Sequence, residues 1–223
     1  MVRQDALDAR IERLTPAHVE DYLEFFDHER GPAFADNPEW AKCYCHYYQV
    51  PPAIDWPSLD GNANRIAMRE RIASGEMEGY LAYVDQRVVG WVNAQPYHKL
   101  QHACARLRIP APSLPVAPHE AAAIVCFVVA PGSRRKGVAR TLLHAALDDL
   151  LARGIRVVDA FPWKAEPEDV APVDHYHGTL SMFIATGFAP IAEHETMIVV
   201  RRFASEEGSS KEPVQGGNVI TDT

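Results

Sequence analysis

One junction constrains this chain most. Residues 122–129 form a nearly continuous apolar run of strand length, the pattern of a central strand buried on both faces. A short basic turn follows, and then the best-defined periodic element of the sequence. Val138, Leu142, Leu143, Ala146, Leu147, Leu150 and Leu151 recur at three- and four-residue spacing, and Gly154 stands where a C-cap belongs. Residues 156–161 read as a further strand. Strand, helix and strand make a βαβ unit, whose two strands must be parallel and whose crossover should be right-handed.

The rest of the chain supplies layers around that unit. Residues 10–14 alternate like a half-buried strand, and Thr15-Pro16 then predicts a helix to about Asp27. Residues 31–59, dense in breakers and aromatics, read as irregular and packed, and a second helix is expected over 61–74. Two strand-like runs on either side of Asp85-Gln86 predict a β-hairpin. Residues 96–119 are proline-rich and aperiodic, an insert or long loop of the kind that carries function. A last helix ends at Gly187, and two strands follow around His194. We read residues 1–203 as a single domain; residues 204–223, rich in Ser, Gly, Glu and Lys, cannot bury enough surface to order themselves.

Composition excludes several functions. The net charge of -8 disfavours a nucleic-acid backbone as partner. The charged N-terminus and the lack of an eighteen-residue apolar run leave no signal peptide or membrane span, so a cytoplasmic protein is expected. Four cysteines are too few and too unevenly spaced for a disulfide framework. Cys43-Tyr44-Cys45-His46 invites a metal reading, but no second ligand pair lies nearby and no metal is expected. The aromatic stretch around it is better read as lining a pocket or packing on the hairpin.

The chemistry concentrates in the basic turn. Arg134, Arg135 and Lys136 crowd the entry of a helix, where the macrodipole already places about half a positive charge. Something anionic belongs there, and unpaired helix N–H groups beside a glycine suit phosphate oxygens. Neither the nucleoside-triphosphate loop nor the dinucleotide fingerprint is present. The string Arg134-x-x-Gly137-x-Ala139 instead resembles the pyrophosphate signature of the GNAT superfamily of acyltransferases. The element order resembles that family over about residues 10–203, as does the closing run Phe183-Ile184-Ala185-Thr186-Gly187-Phe188.

That resemblance implies an α/β (α+β) fold: a central mixed, mostly antiparallel sheet with a βαβ acetyl-CoA-binding unit and flanking helices. It implies an acetyl-CoA-dependent N-acetyltransferase acting directly on an unidentified amine, or else a GNAT-fold acyl-CoA-binding regulatory protein. Phe127, Val128 and Val129 would pair with the pantetheine arm, in a cleft where the central strand and the next one splay. Main-chain N–H groups of Arg134, Arg135, Lys136, Gly137, Val138 and Ala139 would hold the pyrophosphate, and Arg140 would add a charge. The acceptor would be a small-molecule amine or metabolite, with neither nucleic acid nor membrane as partner and a homodimer admitted. Where the family often carries a Tyr this chain has Phe183, so Tyr176 is the candidate acid for the leaving thiolate, with His175, His177 and solvent as alternatives. Glu120, at the entry of the central strand, is the candidate base, its rival role being a solvated strand end. Asn93 and Asp159 are candidates to face the acceptor, or to serve as core or ion-pair residues.

Overall fold

The computed structural model describes residues 7–27, 31–164 and 172–204. Of the tail expected from residue 204 on, all but Ala204 lies outside the described residues. The strands are β1 (Arg10–Arg13), β2 (Tyr80–Val84), β3 (Arg87–Pro96), β4 (Ala121–Val129), β5 (Val157–Ala160), β6 (Ala189–Glu193) and β7 (Ile198–Phe203). They form one seven-stranded sheet in the order β1-β2-β3-β4-β5-β7-β6. Only β4 and β5 run parallel, as their connection by a helix requires. The helices are α1 (Val19–Phe26), α2 (Gly61–Ala73), α3 (Ala103–Leu107), α4 (Val138–Ala152) and α5 (Leu180–Ala185).

The sheet separates two apolar layers. On one face α4 buries Val138, Leu142, Leu143, Ala146, Leu147 and Leu150 against β2, β3 and β4, and Phe183 of α5 extends the layer. Each leucine so buried stabilises the fold by about 1.5–3 kcal/mol. Gly90 permits the close approach of α4, because a Cβ there would meet Val138 Cγ1 at 2.9 Å. On the other face α1 and α2 cover an aromatic cluster in which Tyr22 meets Trp91 edge-on at 5.0 Å.

The hairpin turn between β2 and β3 places Asp85 and Gln86 at φ 47° and 62°, the left-handed pair that a two-residue loop demands. Residues 31–60 hold short 3-10 turns tied down by side chains. Tyr22 donates to the Tyr44 carbonyl (2.6 Å) and Asn64 to that of Lys42 (2.9 Å), while Arg106 donates to the carbonyls of Val50, Pro51 and Ile54. The proline-rich insert thereby braces the irregular segment, and it contains α3 rather than loop alone.

Strand β4 positions the site. Against β3, Asn93 faces Cys126 while Ala94 faces Ile124, so Val125 is an extra residue, a β-bulge. Against β5, pairing starts at Ala121 opposite Val157 and stops at Ile124 opposite Ala160. From Val125 on, the β5 side of β4 is open. Across that gap lies the 3-10 segment Pro172–His177, where the His177 ring donates to the Val125 carbonyl.

Candidate active site

Two cavities meet at the open half of β4. The first, about 610 Å³, is lined by Phe127, Val128, Val129, Arg134, Arg135, Gly137, Val138, Ala139 and Arg140, with α5 and Tyr176 opposite. Lys136, expected among them, turns its ammonium to the Gly132 carbonyl (2.9 Å). Arg135 and Gly137 take φ of 59° and 85°, which wraps the turn around the head of α4. The main-chain N–H groups of residues 135–140 find no acceptor among the described residues; the first helical bond is Thr141 N–H to Gly137. Six consecutive free donors at the start of a fifteen-residue helix form a nest for an anion.

Arg134, expected to lend its main-chain N–H, lies outside that nest, because its N–H already donates to the Pro131 carbonyl (3.3 Å). Its Nε donates to the Val129 carbonyl (2.9 Å), and its two terminal nitrogens reach Asp36. The pair draws residues 31–37 toward the cavity, and Phe34 joins its lining.

The second cavity, about 1340 Å³, lies beside the first and shares Phe34, Val128 and Tyr176 with it. Its walls come from the irregular segment, from residues 106–109 of the insert, from Cys126, and from Trp163 and His177. Tyr176 is wedged between Trp40 (5.0 Å, 76°) and Trp163 (6.1 Å, 90°). Its hydroxyl has no hydrogen-bond partner among the described residues, and burial raises its pKa, so it is a protonated donor at neutral pH. Thr179 caps α5 by accepting from Met182 N–H (3.2 Å), so that helix starts only after Tyr176, which is left in the preceding 3-10 segment at the junction.

His177 is almost fully buried, and burial lowers its pKa to about 3 despite its bond to Val125. It is neutral, with a ring nitrogen, Nδ1, left unpartnered. Cys43 and Cys126 also reach the cavity. Burial pushes the Cys43 thiol up to about 12, and the hydrogen bond to Cys45 together with burial raises that of Cys126. Neither is a thiolate at neutral pH.

Three expected residues are placed elsewhere. Glu120 pairs with Arg156 (3.5 Å), accepts from Ala117 N–H, and lines neither cavity. Asn93 is sealed in the core between Cys45 and Gln95, on the same buried face of β3 as Trp91. Asp159 is fully buried: Arg201 donates to both its oxygens at 2.7 and 2.8 Å, and the Tyr97 hydroxyl adds a third bond at 2.7 Å. Of the roles open to it, the structure gives Asp159 an ion pair, with a residue of β7. Sequence reading missed Phe34, Asp36 and the bond from His177 to β4, none of which carries a local signal. Among the described residues no group of three or more His, Cys, Asp or Glu side chains could hold a metal ion, and no helix is long and apolar enough to cross a membrane.

Comparison with known proteins agrees with this arrangement. The model of the acetyltransferase (GNAT) family matches residues 17–171. The chain belongs to the GNAT acetyltransferase family. Solved GNAT structures share its fold. The PaiA N-acetyltransferase from Thermoplasma acidophilum, in complex with coenzyme A, is 11% identical with a TM-score of 0.50, covering 89% of this chain and 100% of that one. The GNAT domain of S. lividans PAT is 16% identical with a TM-score of 0.52, covering 88% and 90%. No protein of curated function matches the chain by sequence. The GNAT fold accounts for the mixed sheet and its single parallel pair, and at these identities it carries no substrate with it.

Proposed function

We propose that this GNAT chain is an acetyl-CoA-dependent N-acetyltransferase that passes the acetyl group directly to an amine in a ternary complex. The observation that carries the reading is the meeting of the two cavities at Phe34, Val128 and Tyr176. One cavity has an anion nest and an open strand margin suited to an acyl-CoA. The other is a separate chamber for the acceptor.

Acetyl-CoA supplies an activated thioester. The N–H groups of residues 135–140 receive its diphosphate, and Phe127, Val128 and Val129 offer their unpaired margin to the pantetheine arm. An amine entering from the second cavity attacks the carbonyl as its free base. Tyr176 gives its hydroxyl proton to the departing sulfur as the carbon–sulfur bond breaks, and the proton lost by the amine restores the phenol through solvent. A cysteine relay is disfavoured because Cys43 and Cys126 are held as protonated thiols.

The test has two arms. Acetyl-CoA should raise the melting temperature of the protein, and Gly137→Glu should abolish that rise by placing a bulky anion where phosphate must approach, at a residue whose φ of 85° already favours glycine. CoA release is then followed across polyamines, aminoglycosides, amino acids, peptides and arylalkylamines. An undiminished shift in folded Gly137→Glu would overturn the donor site. A clear shift without release on any amine would favour the alternative, an acyl-CoA-binding regulator, which Phe183 in place of the family's usual Tyr motivates.

A further inference from the structure

The acceptor chamber has a chemistry of its own. Trp40, Tyr47, Tyr48, Trp56, Trp163 and Tyr176 all line it. They meet one another edge to face: Tyr47 with Tyr48 at 80°, Tyr47 with Trp56 at 81°, Trp40 with Tyr176 at 76°, and Trp163 with Tyr176 at 90°. A cage for a cation needs ring faces turned to one point. Here those faces are spent on neighbouring ring edges, and the face of Tyr47 carries the Arg106 guanidinium at 5.2 Å. The herringbone is extended best by another aromatic ring.

Charge points the same way. The carboxylates of this lining, Glu39, Asp60 and Glu195, are exposed at the rim, where Lys42, Arg106 and Arg108 offset them. Among the described residues the buried part of the lining holds Phe34, Tyr48, Ile109, Cys126, Val128 and a neutral His177, and no acidic group. A polyamine or aminoglycoside would bring several ammonium groups to a wall whose described residues offer them no buried counter-charge, and each would lose its hydration unpaired. The volume of about 1340 Å³ exceeds the roughly 300–1,000 Å³ of ordinary ligand pockets, so a broad body fits.

We infer that the acceptor of this enzyme is a monoamine carried on an aromatic body, whose rings continue the herringbone while its single amine points to the junction at Tyr176 and Val128. This rests on the reading of the second cavity as the acceptor chamber, and a binding measurement separates the two claims. Tryptamine and spermidine are titrated calorimetrically into CoA-saturated protein, with CoA release from acetyl-CoA followed in parallel. Tryptamine should bind at least tenfold more tightly than spermidine. Trp56→Ala, at the half-buried rim where folding is least at risk, and Trp163→Ala should each weaken tryptamine at least fivefold while leaving CoA affinity unchanged.

Spermidine binding as tightly as tryptamine, or tryptamine affinity indifferent to Trp56→Ala, would overturn the inference. Tryptamine binding with the expected ring dependence but without turnover would uphold the ligand class and defeat the transferase reading. Release with spermidine alone would do the reverse.

Discussion

Arg134 and Asp36, 98 positions apart, are joined by two hydrogen bonds beside the donor cavity, so the first residue of the pyrophosphate signature already holds an anion of the protein's own. A diphosphate arriving at the neighbouring amides meets the Asp36 charge at close range. Asp36→Asn should therefore tighten acetyl-CoA binding by about two- to fivefold at low salt, an effect in the range of an exposed ion pair. Raising the salt to about 0.5 M should shrink the gain, since exposed charges are screened within a few ångströms there. Calorimetric titration at both ionic strengths checks this, and weaker binding by Asp36→Asn would mean that the pair builds the site instead.

Tyr176→Phe keeps the edge-on packing against Trp40 and Trp163 and removes only the proton donor. We expect kcat on a good acceptor to fall at least about tenfold, the lower part of what a positioned acid contributes. The thermal shift given by acetyl-CoA should not change. An unaltered kcat, where chemistry limits turnover, would leave His175 or solvent as the proton source.

His177 should make the fold acid-sensitive. Its folded pKa is depressed to about 3, against an ordinary value near 6.5, so below 6.5 the unfolded chain takes a proton that the folded protein refuses. Stability should decline as pH falls from about 6.5 toward 3. His177→Gln, whose amide can still donate to Val125, should flatten the melting temperature over this window. Equal slopes for both proteins would remove His177 as the cause.

The Asp159–Arg201 pair predicts a large single-site effect with a remedy. Asp159→Asn leaves a nearly buried guanidinium without its counter-charge and should cost about 3–5 kcal/mol. Replacing both partners with apolar residues, Asp159→Leu with Arg201→Met, should recover most of the loss in urea melts. A small loss in the single variant would show that water reaches Arg201.

Elements built on local periodicity were legible in the chain. The leucine stripe of α4 and the Asp85-Gln86 turn each carry their signal within a few residues, and the structure bears both out. The basic turn was legible too, because three cations at a helix start conflict with the dipole unless something answers them. The bulge at Val125 was not, since an all-apolar strand has no alternation whose slip would betray an extra residue. The ion-pair role open to Asp159 could not be given its partner, because a strand buried on both faces gives no hint of which neighbour supplies it; Arg201 lies 42 positions on. Glu120 looked available only because its cation, Arg156, sits 36 positions away. Phe34 reaches both cavities through the Asp36 tether, a contact invisible to any window of sequence.

The short pairing of β4 with β5 has a consequence for how this sheet survives among other chains. A strand margin with free donors and acceptors usually recruits whatever extended backbone is nearby, and at the outer rim of a sheet that means aggregation. Here the free margin lies inside the sheet, between two strands joined at one end and closed over by the segment that carries His177. A margin set inside the sheet presents no outer edge for a second protein to extend. A slender ligand with amide groups at strand spacing can pair with it, and amide hydrogen exchange at Phe127 and Val129, whose N–H groups face away from β3, should slow when it does.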